Sequence, residues 1–361
     1  MNLSIQSKHS FEKLSITVCQ EILSGDFNVY LFGRNELSAE LIDQIKIDGV
    51  IDEYTENDFF NKIKVIKNIN EIKISDSIVI SCIIGKPWVV KQKIDLAGMK
   101  NIDYFSFWKY SGLVLKDYRN WNQFKDQFQA QAYREIYVKL QDLESKRTLE
   151  NIINFRLTLD ISFLKFYTDR QFYQYFENFL SLDSEVFFDV GGYDGHTSLQ
   201  FIRFSKKLSK IYFFEPDQNN LIKAKKALSE YSQHIQFNSF GLNDKKASYL
   251  FKPDGSKSSI SEFGNEIIEL EALDVISLDE QEIYKNGAFL KMDIEGWELN
   301  ALKGAEQFIL NHQPKLAICV YHKSNDILEI SNYLLSLHKG YRLFLRHYTE
   351  GVDETVMYFI P

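Results

Sequence analysis

The chain has 361 residues, a length that favours two domains over one. Hydrophobic residues make up 45% and aromatic residues 15%, ample for buried cores, while charged residues at 25% give an ordinary balance. A net charge of -8 argues against a nucleic-acid clamp, which carries a basic surplus.

Cys19, Cys82 and Cys319 follow no pairing or metal-ligand spacing, which fits a reducing compartment and excludes a disulfide scaffold. The opening MNLSIQSKHSFEKLS lacks the apolar core of a secretion signal, and the apolar run 78–84 is too short to span a membrane. A soluble, cytoplasmic protein is expected.

In chain order, residues 27–107 alternate short apolar strands with helical stretches. NVYLF (28–32) runs into Gly33, 37–47 has helical spacing, 49–51 is strand-like, SIVISCII (77–84) suits a buried central strand, and 102–107 another. Such alternation predicts a parallel sheet of Rossmann type. From 120 to 182 the apolar residues recur at three and four positions, as in Phe124, Phe128, Tyr133, Ile136, Tyr137 and Leu140, which predicts amphipathic helices. The aromatic run 163–179 suits a connector packed on the domain behind it, or the wall of a cleft. From 185 onward alternation returns, with strands expected at 186–190, 211–215, 235–240, 289–293, 316–321, 341–345 and 356–360. Helices are expected at 198–208, 219–231 and 298–310. Five strands with crossover helices and a late strand pair suit a doubly wound α/β sheet.

The sharpest local signal is VFFDVGGYDGHTS (186–198). An apolar strand ends in Asp189 and enters a turn with Gly191, Gly192 and Gly195, after which Thr197 or Ser198 is expected to cap a helix. A dinucleotide turn wants G-x-G-x-x-G; here a carboxylate leads the turn, which would repel a pyrophosphate but suits the cationic methionine end of S-adenosylmethionine. IYFFE (211–215) then ends in Glu215 before Pro216, where an acid can accept both ribose hydroxyls. After 235–240 come Gly241, Leu242, Asn243 and Asp244, bordering the adenine or forming an ordinary turn. FLKMDIEGWELNALKGA (289–305) places Lys291, Asp293, Glu295 and Glu298 at a strand's C-terminal end, where open α/β sheets bind ligands. His322 ends another apolar strand and is a candidate base; His196, after the glycine turn, is weaker. The stretches 345–347 and 353–355 add Arg346, His347 and Asp353 to the polar residues near the end.

Together these stretches resemble the FkbM family of S-adenosylmethionine-dependent methyltransferases. The resemblance rests on FFDVGGYDGHTS, YFFEPD, FLKMDIEGWELNALKGA, PKLAICVYHK and LRHYTEGVDETVMYFIP, over roughly 186–361, with INFRLTLD and QYFE before it. It implies an O-methyltransferase acting on hydroxyls of sugars or polyketide-like products, often in surface-polysaccharide or natural-product assembly. It further implies that Asp189 and Gly191, Gly192, Tyr193 and Gly195 hold the methionine end, and Glu215 with Pro216 the ribose. Gly241, Leu242 and Asn243 would lie at the base, and Asp293, Glu295 and His322 at the methyl-transfer centre. Trp297 departs from the small residues common at that point, which leaves the acceptor open.

The expected organisation is α/β throughout. It comprises a Rossmann-like domain over 1–119, a helical connector over 120–182 and a seven-stranded methyltransferase domain over 183–361. Only Gly33 remains of a glycine fingerprint in the first domain, so a scaffold or dimerisation role is expected ahead of sugar-nucleotide binding. The catalytic proton acceptor is expected to be His322 or Asp293. Asp293 and Glu295 offer an alternative, Mg²⁺ polarising the acceptor hydroxyl, but no diagnostic metal motif supports it. Partners are a small-molecule acceptor and a second copy of the chain, with no nucleic acid and no membrane span. The rivals are an NAD-linked sugar oxidoreductase, for which G-x-G-x-x-G is missing, and a non-catalytic sugar-nucleotide sensor, which would bind donor without turnover.

Overall fold

The structure, a computed structural model, describes residues 3–6, 8–252, 259–260 and 264–361. Met1, Asn2 and Ser7 of the opening segment lie outside the described residues. Two compact units emerge, one formed by Met1–Phe128, Arg147–Gln171 and His347–Glu354, the other by Gln129–Lys146, Phe172–Arg346 and Thr355–Pro361. Among the described residues no helix is long and apolar enough to cross a membrane.

The first unit holds a six-stranded sheet. Its strands are β1 Asn28–Phe32, β2 Gly49–Ile51, β3 Phe59–Phe60, β4 Ile63–Ile66, β5 Ser77–Ser81 and β6 Lys100–Asp103, in the order β3-β4-β2-β1-β5-β6. Every pairing is parallel except that of β3 with β4. β2 and β5 are buried along their length, and strands covered on both faces need no polar alternation. The strand expected over 102–107 stops at Asp103. That side chain accepts the backbone N–H of Ser106 at 3.0 Å and caps the helix Tyr104–Tyr110, so a local cap overrides the β-prone aromatics. Gly33 (φ +102) follows β1; a Cβ there would lie 2.6 Å from Ile83, so the protein's own packing asks for this glycine. His347 and Asp353 belong to this unit. His347 Nε2 lies 3.0 Å from the Gly351 carbonyl oxygen, and burial pushes its pKa down to about 4; Asp353 accepts the Tyr118 hydroxyl at 2.9 Å.

Helices Trp121–Gln127, Ala130–Lys139 and Leu143–Thr158 occupy the stretch with helical spacing, and Phe124, Tyr133, Ile136, Tyr137, Leu149, Ile152 and Phe155 are buried. The aromatic run 163–179 instead forms short 3₁₀ turns.

The second unit carries the seven-stranded sheet. Its strands are β7 Val186–Val190, β8 Ile211–Phe214, β9 Ile235–Asn238, β14 Ala288–Met292, β15 Lys315–Cys319, β16 Arg342–His347 and β17 Thr355–Ile360. The order is β16-β17-β15-β14-β7-β8-β9, parallel from β15 to β9, with β17 antiparallel to β15. From β7 the chain moves outward through β8 and β9, then returns to the other side of β7 as β14. That reversal is the switch point at which open α/β sheets leave a crevice outside the strands' carboxyl ends. Between β9 and β14 runs an addition that the sequence did not suggest: β10 Gly241–Leu242, β11 Ala247–Lys252, β12 Ser259–Ile260 and β13 Glu266–Glu271 form a four-stranded sheet in the order β10-β13-β11-β12. The helix expected over 298–310 is two helices, Glu298–Lys303 and Glu306–His312. They break at Gly304, where a Cβ would lie 1.9 Å from the Asn243 carbonyl oxygen. Arg346, 4% exposed, is held by Asp142 at 2.6 Å and by the Ser145 hydroxyl at 2.8 Å, beside the stacked rings of Phe179 and Phe344. It ties the start of this unit to its last strands.

Candidate active site

The turn after β7 is shaped by its glycines, for reasons internal to the fold. Gly191 (φ +76) passes so close to the residues after β14 that a Cβ would lie 1.9 Å from the Asp293 carbonyl oxygen. A Cβ at Gly192 would meet the Phe213 ring at 2.2 Å, and one at Gly195 (φ +88) would meet Leu228 at 2.9 Å. The amides of Gly191 and Gly192 both donate to the Phe214 carbonyl, at 3.1 and 3.0 Å, so the turn hangs on the end of β8. The helix His196–Phe204 starts from Gly195 without a side-chain cap. Ser198, expected to cap it, instead donates its hydroxyl to Asp189 Oδ2 at 2.7 Å. His196 is exposed at that helix's start.

Asp189 is fully buried. β7 and β14 run in parallel register with Asp189 opposite Lys291, which brings Lys291 Nζ to 3.3 Å from Asp189 Oδ1. Lys291 also donates to the Gly191 carbonyl at 2.6 Å. Burial works against the ammonium charge, but Asp189 and then Asp293 outweigh it, and the Lys291 pKa is raised. The carboxylate expected against the methionine end therefore has no surface to offer. It lies on a strand covered from both sides, against Lys291 and the Ser198 hydroxyl.

Glu215, 6% exposed, follows β8. Its Oε2 accepts the Tyr193 amide at 2.9 Å and its Oε1 the Asp217 amide at 2.8 Å. Tyr193 itself adopts φ +51 to point that amide inward. Each carboxylate oxygen keeps acceptor capacity for a further donor, as a vicinal diol would supply. Burial, partly offset by the two amides, raises the Glu215 pKa to about 7. Pro216 is half-buried, and a Cβ on Gly241 would touch it at 3.7 Å. Leu242 is buried within β10, and Asn243 closes its own turn, with Nδ2 donating to the Lys245 carbonyl at 3.1 Å.

Past β14 and β15 three carboxylates gather round one histidine. His322, 1% exposed in its side chain, has Nδ1 at 2.9 Å from Glu298 Oε1. Its Nε2 lies 3.4 Å from Asp293 Oδ1 and 3.6 Å from Glu295 Oε2. Glu298 is fully buried and accepts the amides of Ile294 (2.9 Å) and Gly296 (3.3 Å), so it locks the loop that carries Glu295. That loop bends through two left-handed residues, Glu295 (φ +54) and Gly296 (φ +96). Asp293 and Glu295 each keep 23% of the side chain exposed. Burial alone would lower the His322 pKa, but Glu298, Asp293 and Glu295 outweigh it and push it up to about 10. The histidine expected as a base is thus held as an imidazolium. Asp293 is shifted the other way: burial would raise its pKa, yet His322, Lys291 and the Tyr175 hydroxyl together lower it.

Tyr175 is the residue that sequence patterning did not single out. Its hydroxyl donates to Asp293 Oδ2 at 2.8 Å and accepts from Gln174 Nε2 at 3.0 Å. Its one sequence-level signal is membership of QYFE, within an aromatic run that reads equally as packing. Trp297 lies with its ring 4.9 Å from Tyr249 and packs on Phe251, Ile268 and Leu270 of the four-stranded sheet.

Residues 189–346 match the family model of the Methyltransferase FkbM domain. Among solved structures, the chain is similar to the methyltransferase FkbM from Methylobacillus flagellatus KT, at 24% identity and a TM-score of 0.78, covering 95% of this chain and 93% of that one. A Streptococcus mutans protein solved in complex with SAH shows 17% identity and a TM-score of 0.30, over 50% of this chain and 93% of that one; nothing rests on it. At 24% identity the first likeness speaks for the fold. No curated protein matches the chain.

Proposed function

We propose, for a chain whose residues 189–346 form a methyltransferase domain of the FkbM family, that it transfers a methyl group from S-adenosylmethionine to a hydroxyl of a sugar, sugar nucleotide or related polysaccharide or natural-product precursor. The observation that supports this best is one turn touching two kinds of chemistry. Tyr193 presents its amide to Glu215, a carboxylate apt for a ribose diol, while Gly191 packs on Asp293 and its acid cluster.

S-adenosylmethionine, when bound, supplies an electrophilic methyl group on a sulfonium. The protein's task is then to align an oxygen with that methyl and to remove the oxygen's proton, so most of the acceleration comes from positioning. Asp293, pinned by Tyr175 and low in pKa, serves as a fixed negative charge at the crevice. His322 holds both carboxylates in place from behind. Glu295, partly exposed and backed by the same imidazolium, takes the hydroxyl proton. Asp189 and Lys291 keep the turn in register. The first unit is assigned a scaffolding or dimerisation role.

The raised pKa of Glu215 sets a pH dependence. Below about 7 the carboxyl is protonated and one of its oxygens is spent as a donor; above it, both oxygens accept. Affinity for S-adenosylmethionine is expected to rise between pH 6 and pH 8. Glu215→Gln should flatten that rise, as measured by calorimetry across the range.

The function itself is tested by offering hydroxylated acceptors, nucleotide sugars first, with S-adenosylmethionine and following the gain of one methyl group by mass spectrometry. Methylation on oxygen is expected. Donor binding without turnover on any acceptor would favour a sensor instead, and reduction of NAD by a sugar would favour the oxidoreductase.

A further inference from the structure

We propose that Asp293, Glu295 and His322 form a binding site for a divalent first-row cation, of which Mn²⁺ is the best-matched representative. Its role rests on the reading of this crevice as the methyl-transfer centre; its binding does not.

Four observations carry the site. The donor atoms, one from each residue, all lie within 4.8 Å of one another. His322 Nε2 is buried and makes no hydrogen bond, although it faces Asp293 Oδ1 at 3.4 Å and Glu295 Oε2 at 3.6 Å. Those gaps are long for hydrogen bonds. They are close to the edge of a coordination polyhedron, where donors about 2.0–2.2 Å from an ion sit roughly 3.0–3.5 Å apart. Second, the other ring nitrogen is already engaged: Nδ1 lies 2.9 Å from Glu298 Oε1, the carboxylate–histidine arrangement that orients a metal-ligating imidazole. Third, Asp293 is oriented in the same way, its Oδ2 taken by Tyr175 so that Oδ1 faces His322. Fourth, the local charge is unbalanced. Asp293, Glu295 and Glu298 face one imidazole, and the nearby Lys291 is committed to Asp189 and to the Gly191 carbonyl.

One imidazole with two carboxylates and no thiolate is a borderline-to-hard donor set, which suits Mn²⁺ over Zn²⁺ in a thiolate cage or Ca²⁺ in an all-oxygen one. In the metal-free chain Nε2 carries the imidazolium proton; the ion takes that proton's place between the same two carboxylates, so uptake releases one proton to solvent. Three protein donors leave coordination positions open toward the crevice. A hydroxyl entering there would be fixed in place and made more acidic by the ion.

The test uses the full chain, stripped with EDTA and dialysed. MnCl₂ is titrated while the electron-paramagnetic signal of free Mn²⁺ is followed, alongside calorimetry. One site per chain is expected. Asp293→Asn and Glu295→Gln should each weaken it more than about 100-fold. Glu298→Gln, which keeps an oxygen for the amides of Ile294 and Gly296, should weaken it about 10–100-fold. Circular dichroism confirms that each variant is folded; should Asp293→Asn not fold, the Glu298→Gln and wild-type titrations decide alone. No saturable uptake by the folded wild type, or uptake unchanged by Glu295→Gln and Glu298→Gln, overturns the site. A parallel titration of the metal-free protein with S-adenosylmethionine separates the two claims. Donor binding without Mn²⁺ uptake defeats the ion and leaves the methyltransferase reading intact; Mn²⁺ uptake without donor binding does the reverse.

Discussion

Lys291→Met is expected to destabilise the protein by about 3–5 kcal/mol, the cost of leaving a buried carboxylate without its partner. Asp189 has no exposed surface and Lys291 almost none, so water cannot compensate either charge. The substitution also removes the ammonium that donates to the Gly191 carbonyl, so the glycine turn loses its anchor to β14. The double variant Asp189→Asn/Lys291→Met removes both charges and should recover a large part of the loss, because an apolar or neutral replacement of a buried pair is often nearly neutral. Urea unfolding of the wild type and the single and double variants measures this. A single variant as stable as the wild type would mean that the pair is not buried as described.

The second large effect falls on rate. Glu295→Gln should lower kcat by about 10²–10⁴-fold, the range for removing a positioned proton acceptor. It should leave affinity for S-adenosylmethionine within about threefold, since the predicted ribose contact is Glu215, on another strand's end; a uniform binding loss would instead appear in KM. The amide preserves the shape of the loop, which is held by Glu298 through the amides of Ile294 and Gly296. Steady-state kinetics with a hydroxylated acceptor that the wild type methylates separate the two parameters. Wild-type turnover in this variant would remove Glu295 from the chemistry and shift the proton to Asp293 or to solvent.

What the sequence disclosed, and what it hid, follows from the range of the interactions. β7, β8, β14 and β15 were legible because strands buried on both faces read as nearly continuous apolar runs, with an acid or a histidine in or shortly after each. The Asp189–Lys291 pair was not legible. It depends on β14 returning beside β7 in one particular register, a contact 102 positions apart that no local pattern encodes. For the same reason the contact of the Asp189 carboxylate with Lys291 was not foreseen.

Tyr175 shows the same limit in an aromatic run, where the residue that reaches Asp293 looks like its sequence neighbours Phe172 and Phe176, which pack on Phe204 and Phe187. The added sheet of β10 to β13 escaped notice because its strands bury few residues, with β11 exposing Ser248, Leu250 and Lys252 and β13 exposing Glu266, Ile267 and Glu269. Alternation is then too weak to register. Asp103 illustrates the opposite error, an aromatic stretch read as a strand when one capping carboxylate was enough to start a helix.

A nucleoside is expected to seat between the glycine turn and Glu215. Isothermal titration of the purified chain with S-adenosylmethionine should give one saturable site whose heat is lost, or its affinity cut at least tenfold, in Glu215→Ala, because an unpaired diol forfeits two hydrogen bonds to a charged group at about 1.5–3 kcal/mol each. Absence of binding to the folded wild type, or equal binding by Glu215→Ala, would contradict it.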